Sequence, residues 1–216
     1  EVTANVTGGA LAAGGGNITV SGSQASLSSE NGNGMYAGAG ALEITDGSNV
    51  TASGKNPALF ANSGITVSGS RVQAESGNDV GIYSPKSAVI TDSVVTARGG
   101  NSNQDILVRT KDGSAVSGSW VDGTYGDSFA SVENTMSVGN GIAAVTGAAA
   151  VPRDVMLPQG TKIIIPEGGS LKIKDNVIIT SLPSGEDTVV DENGNIELPG
   201  GAVLTVDGNQ ITVPAE

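Results

Sequence analysis

The sequence has no cysteine and no histidine. The first absence removes any disulfide framework and any thiolate metal site. The second removes Ser-His-Asp and Cys-His catalysis and the commonest transition-metal ligand. Aromatic residues make up only 3% of the 216, few for a globular core, where rings usually dominate packing. Basic residues are scarce, ten against 22 acids, for a net charge of −12. That balance sets the chain against phosphate backbones and so against nucleic-acid partners. The imbalance is even: 12 acids and 6 bases in residues 1–150, 10 and 4 in residues 151–216. No apolar run approaches the roughly 18 residues of a membrane span. No signal-peptide pattern is visible and the chain begins at Glu1, which reads as a mature or trimmed form.

What is present is repetition. Ser48-Asn49-Val50-Thr51-Ala52, Ser70-Arg71-Val72-Gln73-Ala74 and Ser93-Val94-Val95-Thr96-Ala97 share the frame Ser-x-Val-x-Ala at steps of 22 and 23 residues. Weaker copies start at Ser23 and Ser119, at steps of 25 and 26. A second run in each repeat carries Met35, Leu59, Ile82 and Ile106, and a third carries Ile44, Ile65 and Ile90. Turns rich in Gly and Asn, such as Ser53-Gly54-Lys55-Asn56, follow the first run and suit positive φ. Three strands and three corners in about 24 residues describe one coil of a right-handed parallel β-helix, so the fold class is all-β. Equivalent residues then stack. Val50, Val72 and Val95 are expected to form one interior ladder, and Ile44, Ile65 and Ile90 another. Helical repeats fail because Gly, Asn or Pro recurs too often for their helices. A β-sandwich with regular turns is the remaining rival.

Residues 1–150 are assigned to the β-helix, with coils clearest in 18–123. Val2, Ala4 and Val6 alternate with polar residues and predict a first strand that caps the open end of the stack. Residues 126–150 lose the frame, and their last part, Ala143 to Ala150, reads as a degenerate coil or a linker. Ile165-Pro166-Glu167-Gly168 is answered 33 residues later by Leu198-Pro199-Gly200-Gly201. With reversals at Asp175-Asn176 and Asp207-Gly208 and a hairpin within Glu186–Asn195, residues 151–216 read as a small β-hairpin module or a cap.

The segments Gly64-Ile65-Thr66-Val67-Ser68-Gly69-Ser70 and Asp79-Val80-Gly81-Ile82-Tyr83-Ser84 resemble coils of the pectin-lyase-like superfamily. They are more closely similar to secreted bacterial carbohydrate-binding β-helix surface proteins, in which Gly-Asp-Gly-Ile-type segments recur with Ile-Thr-Ile-type strands. The similarity spans roughly residues 18–123 and breaks at Asp79, where Val80 intervenes before Gly81. It implies an extracellular or cell-surface location in a bacterium and a polysaccharide or host glycan as partner. Lyases of the superfamily imply carboxylates around Ca²⁺ beside an Arg or Lys base. The candidates are Asp46, Asp92, Asp105 and Asp112, with Arg98 or Arg109. Asp46 and Asp92 share an Ile-Thr-Asp place, but Val67 holds it in the coil between. They stand two coils apart, about 9–10 Å, too far to share an ion that wants six to eight oxygens. No Asp-Asp pair suits a glycosidase. The chain is therefore expected not to be an enzyme and to have no catalytic residues. Calcium is the one cofactor in view, with Asp79, beside Asn78, as its ligand; an ordinary Asn-rich turn is the other reading.

Tyr36, Phe60 and Tyr83 recur one coil apart. If Met35, Leu59 and Ile82 point inward, alternation turns the rings outward, where sugars stack; the reverse makes them a core stack. Trp120 sits in the outward slot of Asn49 and Arg71, a binding hint if exposed; packing under the following segment is the other reading. Asn56 and Asn78 on the adjoining corner supply hydrogen bonds. These features predict a non-catalytic module binding glycan along one face. A stalk or adhesin segment without a ligand and a polysaccharide lyase are the alternatives.

Overall fold

The structure, a computed structural model, describes residues 2–100, 103–152, 155, 157–174, 177–182, 188–190, 196–206 and 209–214. Every regular element among them is a β-strand. The chain forms a parallel β-solenoid of about seven turns of roughly 23 residues. It divides into two compact units: residues 1–117 with 121–132, and residues 118–120 with 133–216.

In the first unit each coil contributes one strand to each of three parallel sheets. Strand Asn49–Gly54 shows why. Val50 and Ala52 are 0% and 1% exposed, while Asn49 and Thr51 face solvent, the two-residue alternation of a strand with one wet face. Val72 pairs with Val50 on one side and Val95 on the other, all three buried. Met35, Leu59, Ile82 and Ile106 form the second ladder. The third ladder differs from the sequence expectation. Ile44 pairs with Val67, and Val67 with Ile90, whereas Ile65 pairs with Leu42 and Ala88. The step from Ile44 to Ile65 is two residues short of this coil. A two-residue shift preserves the face, so Ile65 is still buried, one rung over.

The corners also divide differently. At Gly54 positive φ is not what demands glycine. An added Cβ would lie 2.5 Å from the Gly32 carbonyl oxygen, because successive backbones stack almost in contact there. Positive φ recurs instead between the third and first sheets, at Gly22, Asp46, Gly69 and Asp92 (56°, 58°, 56° and 48°), with isolated instances at the other corners, such as Gly64 and Gly123. This left-handed region costs most L-residues about 1–2 kcal/mol and is visited chiefly by Gly, Asn and Asp. Asp46 and Asp92 thus hold a backbone corner. Gly69, not Val67, occupies the place between them, since Thr45 and Thr91 are level with Ser68.

The predicted N-terminal cap is itself a coil. Val2–Val6, Leu11–Ala13 and Ile18–Ser21 each pair in parallel with the coil that follows. In the second unit, Thr135–Gly139 and Ile142–Thr146 form an antiparallel hairpin around Asn140-Gly141, with φ of 52° and 75°. Asn-Gly at two positive-φ positions suits the tight turn of a hairpin, so residues 135–146 are neither coil nor linker. Ile142–Thr146 then pairs in parallel with Lys162–Ile164, and Ala148–Ala150 with Ser170–Lys174. Asp175-Asn176, Asp207-Gly208, Glu186-Asp187 and residues 191–195 lie outside the described residues. The strands around them pair antiparallel, through Lys174↔Val177, Val206↔Asn209 and Val190↔Ile196. The two Pro-x-Gly segments close matching turns, with Gly169 N–H donating to Pro166 C=O and Ala202 N–H to Pro199 C=O.

Candidate functional site

The outer face of the second sheet carries the aromatic stripe. Tyr36, Phe60 and Tyr83 share one register row. Their inward neighbours Met35, Leu59 and Ile82 are at most 1% exposed, so alternation places the rings outside. Tyr36 is 36% exposed, and Phe60 and Tyr83 are half-buried. The Tyr36 and Phe60 rings stack, centroids 5.0 Å apart at 17°. Tyr83 is 5.6 Å from Phe60 and tilted by 54°. The Arg109 guanidinium carbon lies 5.8 Å from the Tyr83 ring centroid. Parallel stacking covers the facing sides of Tyr36 and Phe60. The stripe is therefore a ridge of ring edges and tyrosine hydroxyls that ends at a tilted ring beside a cation.

Asn56, Asn78 and Asp79 are exposed on the corner between the first and second sheets. The backbone N–H groups of Asn56 and Asn78 donate to the Gly32 and Lys55 carbonyls of the preceding coils, at 3.2 and 3.0 Å. The Asp79 N–H donates to Ser76 Oγ at 2.9 Å, and its Oδ1 accepts from the Val80 N–H at 2.8 Å. This is the local self-capping that Asp performs in turns. Among the described residues, no three His, Cys, Asp or Glu side chains gather closely enough to hold a metal.

Trp120 is not the outward aromatic that its slot suggested. It is 3% exposed. Both Trp120 and Val121 are buried, so alternation lapses in this strand. Residues 118–120 group with the second unit.

The remaining candidates are dispersed. Asp46 and Asp92 lie between the third and first sheets. Asp46 accepts from Ser21 Oγ at 2.5 Å and Thr45 Oγ1 at 3.0 Å, and these bonds hold its carboxyl below the ordinary range. Asp105 sits between the first and second sheets and accepts from the Gly99 and Thr124 amides, both at 2.7 Å, and from Thr124 Oγ1 at 2.8 Å. Arg98 forms an ion pair with Asp122 at 2.7 Å and donates to the Asp122 and Ala97 carbonyls. Arg109 and Asp112 follow the second sheet. The structure does not bring these groups to one place. Arg109 beside Tyr83 was legible only as a base; the signal for its ring contact was its position two residues after Leu107, the rung partner of Tyr83.

Protein-family models, curated proteins and solved structures yield no match to the chain.

Proposed function

We propose that this is a non-catalytic, extracellular or cell-surface module that binds polysaccharide or host glycan along the outer face of its second sheet. The observation that carries the reading is the outward aromatic row, one ring per coil, beside an Asn-bearing corner. A glycan is itself a repeating rod, and coils about 4.8 Å apart offer it one weak contact each. Contacts made together by one ligand gain from effective concentration. Tyr36 and Tyr83 supply exposed ring surface, Asn56 and Asn78 supply amides, and calcium bridged by Asp79 is the route by which an acidic chain would hold uronate polymers. The similarity of residues 18–123 to secreted bacterial carbohydrate-binding β-helices points the same way.

A second reading, a rigid stalk without a ligand, is favoured by how the polar candidates are used. Asp46, Asp79, Asp105 and Arg98 all bond to backbone or side chains of the solenoid. A glycan array with and without Ca²⁺ separates the two. Binding supports the module; silence in both conditions supports the stalk.

A further inference from the structure

The aromatic stripe differs at its two ends. Tyr36 and Phe60 lie in segments without charge: residues 31–42 and 56–70 hold no Asp, Glu, Lys or Arg. Beyond Tyr83 the corner between the second and third sheets turns basic. Lys86 stands there in one coil, and Arg109 and Lys111 in the next. They are three of the six basic residues in 1–150, and Asp112 is the one acid beside them, so this corner is positive on a chain of net charge −12.

Backbone bonds fix the arrangement. Arg109 N–H donates to the Ser84 carbonyl at 3.0 Å, and Thr110 Oγ1 to the Pro85 carbonyl at 2.9 Å. The register of the second sheet therefore continues into the corner, with Arg109 level with Pro85 and Thr110 with Lys86. Lys86 is thus diagonal to both Arg109 and Lys111, with backbones about 6 Å apart across a rung of about 4.8 Å. All three side chains are exposed. Among the described residues none of the three is paired with a carboxylate, whereas Arg98 is held by Asp122. The Arg109 guanidinium instead lies 5.8 Å from the Tyr83 ring centroid, a contact that leaves its N–H donors for an oxyanion.

We infer that Lys86, Arg109 and Lys111 form an oxyanion subsite at the Tyr83 end of the stripe. The inference rests on the glycan reading above and names the ligand class. The ligand is a glycan that is neutral along the stripe and ends in one sulfate ester or carboxylate, which the Arg109 fork and the ammonium groups hold. A polyanion fits worse. Its further charges would lie over Tyr36 and Phe60, where no cation answers them, on a chain that is acidic overall. The contact needs no calcium, unlike the one at Asp79 on the opposite corner.

A glycan array printed with matched sets tests this in EDTA. Each set holds a neutral oligosaccharide with its terminally sulfated and its terminally sialylated form. The wild type is expected to retain at least one anionic form roughly tenfold better than the neutral parent, and the preference falls as salt screens it. The sulfated and sialylated spots identify the oxyanion. Arg109→Gln with Lys86→Gln removes the preference and leaves the neutral signal nearly unchanged. Lys172→Gln, a charge loss at an exposed site of the second unit, leaves both. All these sites are exposed, so melting curves match the wild type. Equal signals within every set, or a preference that survives the double variant, overturn this inference and leave the glycan reading standing. Silence of the whole array in EDTA also overturns it; the glycan reading falls with it only if the array is silent in Ca²⁺ as well.

Discussion

Ser70 links Ser48 in the coil before to Ser93 in the coil after, through its hydroxyl and its N–H. The hydroxyl accepts the Ser48 N–H at 3.2 Å and donates to the Ser68 carbonyl at 2.8 Å, while the Ser70 N–H donates to Ser93 Oγ at 3.1 Å. Ser48 does the same for Ser23, at 3.2 Å. Ser48, Ser70 and Ser93 are buried. The serine of the Ser-x-Val-x-Ala frame is thus a hydrogen-bond ladder where corner amides lack sheet partners. Ser70→Ala removes one of the two acceptors of the Ser48 amide, which also donates to the Thr45 carbonyl at 3.2 Å, at a cost of about 0.5–1.5 kcal/mol. Urea unfolding should show this loss. A change under about 0.5 kcal/mol would remove the ladder from the account.

Val72 tests the core more severely. It is 1% exposed between Val50 and Val95. Val72→Asp buries a charge with no partner in that ladder, which a β-core does not tolerate. The variant should lack the cooperative unfolding transition of the wild type; a melting curve matching the wild type contradicts the parallel ladder.

At Gly54 the demand is for space. Gly54→Ala drives a methyl toward the Gly32 carbonyl, and relieving that overlap costs about 1–3 kcal/mol. Gly47→Ala, with φ of 74° but open space around it, should cost only the backbone strain of about 1–2 kcal/mol. High-resolution structures of the two variants distinguish displaced neighbours in the first from an unmoved surround in the second.

Asp46 gives a pH prediction. Its folded pKa lies below the ordinary 3.8, chiefly through the Ser21 hydroxyl and then Thr45. A depressed carboxylate contributes stability that is present above the unfolded pKa and is lost as pH falls through the folded one. The contribution is fully present at neutral pH, and its loss is confined to acid conditions. NMR titration should place the Asp46 carboxyl below 3.8 and move it upward in Ser21→Ala. An unmoved midpoint would show that this hydroxyl is not the cause.

The coil was legible because one strand of each repeat carries a strict frame, and a buried Val cannot slip by one residue without flipping its face. The corner chemistry was not legible. Gly marks both a positive φ, as at Gly69, and a close backbone approach, as at Gly54, and one letter does not say which. Ile65 was misplaced because similar residues two apart compete for the same rung. The outward turn of Tyr36, Phe60 and Tyr83 followed from alternation, but the ring stacking did not, since it depends on side-chain rotamers across coils. Trp120 was placed by its slot but not by its exposure, since it is buried together with Val121 and alternation lapses there.

A non-catalytic module is expected to show no turnover. The lyase candidates sit at three different corners, with Arg98 tied to Asp122 and Asp105 tied to Thr124. Incubation with pectin, polygalacturonate, alginate and xylan in Ca²⁺ should release no unsaturated or reducing-end product. Product that disappears in Arg98→Ala or Arg109→Ala would establish a lyase instead.

The most direct test of the central claim is retention on immobilised polysaccharides and host glycans, with and without Ca²⁺, comparing the wild type with Tyr36→Ala and Tyr83→Ala. Both side chains lie on the outer face, so melting temperatures should barely move. The account predicts retention by the wild type and a loss of up to roughly tenfold per ring, the order of one aromatic contact. Retention that is unchanged in both variants, or no retention of the wild type in either condition, would contradict it.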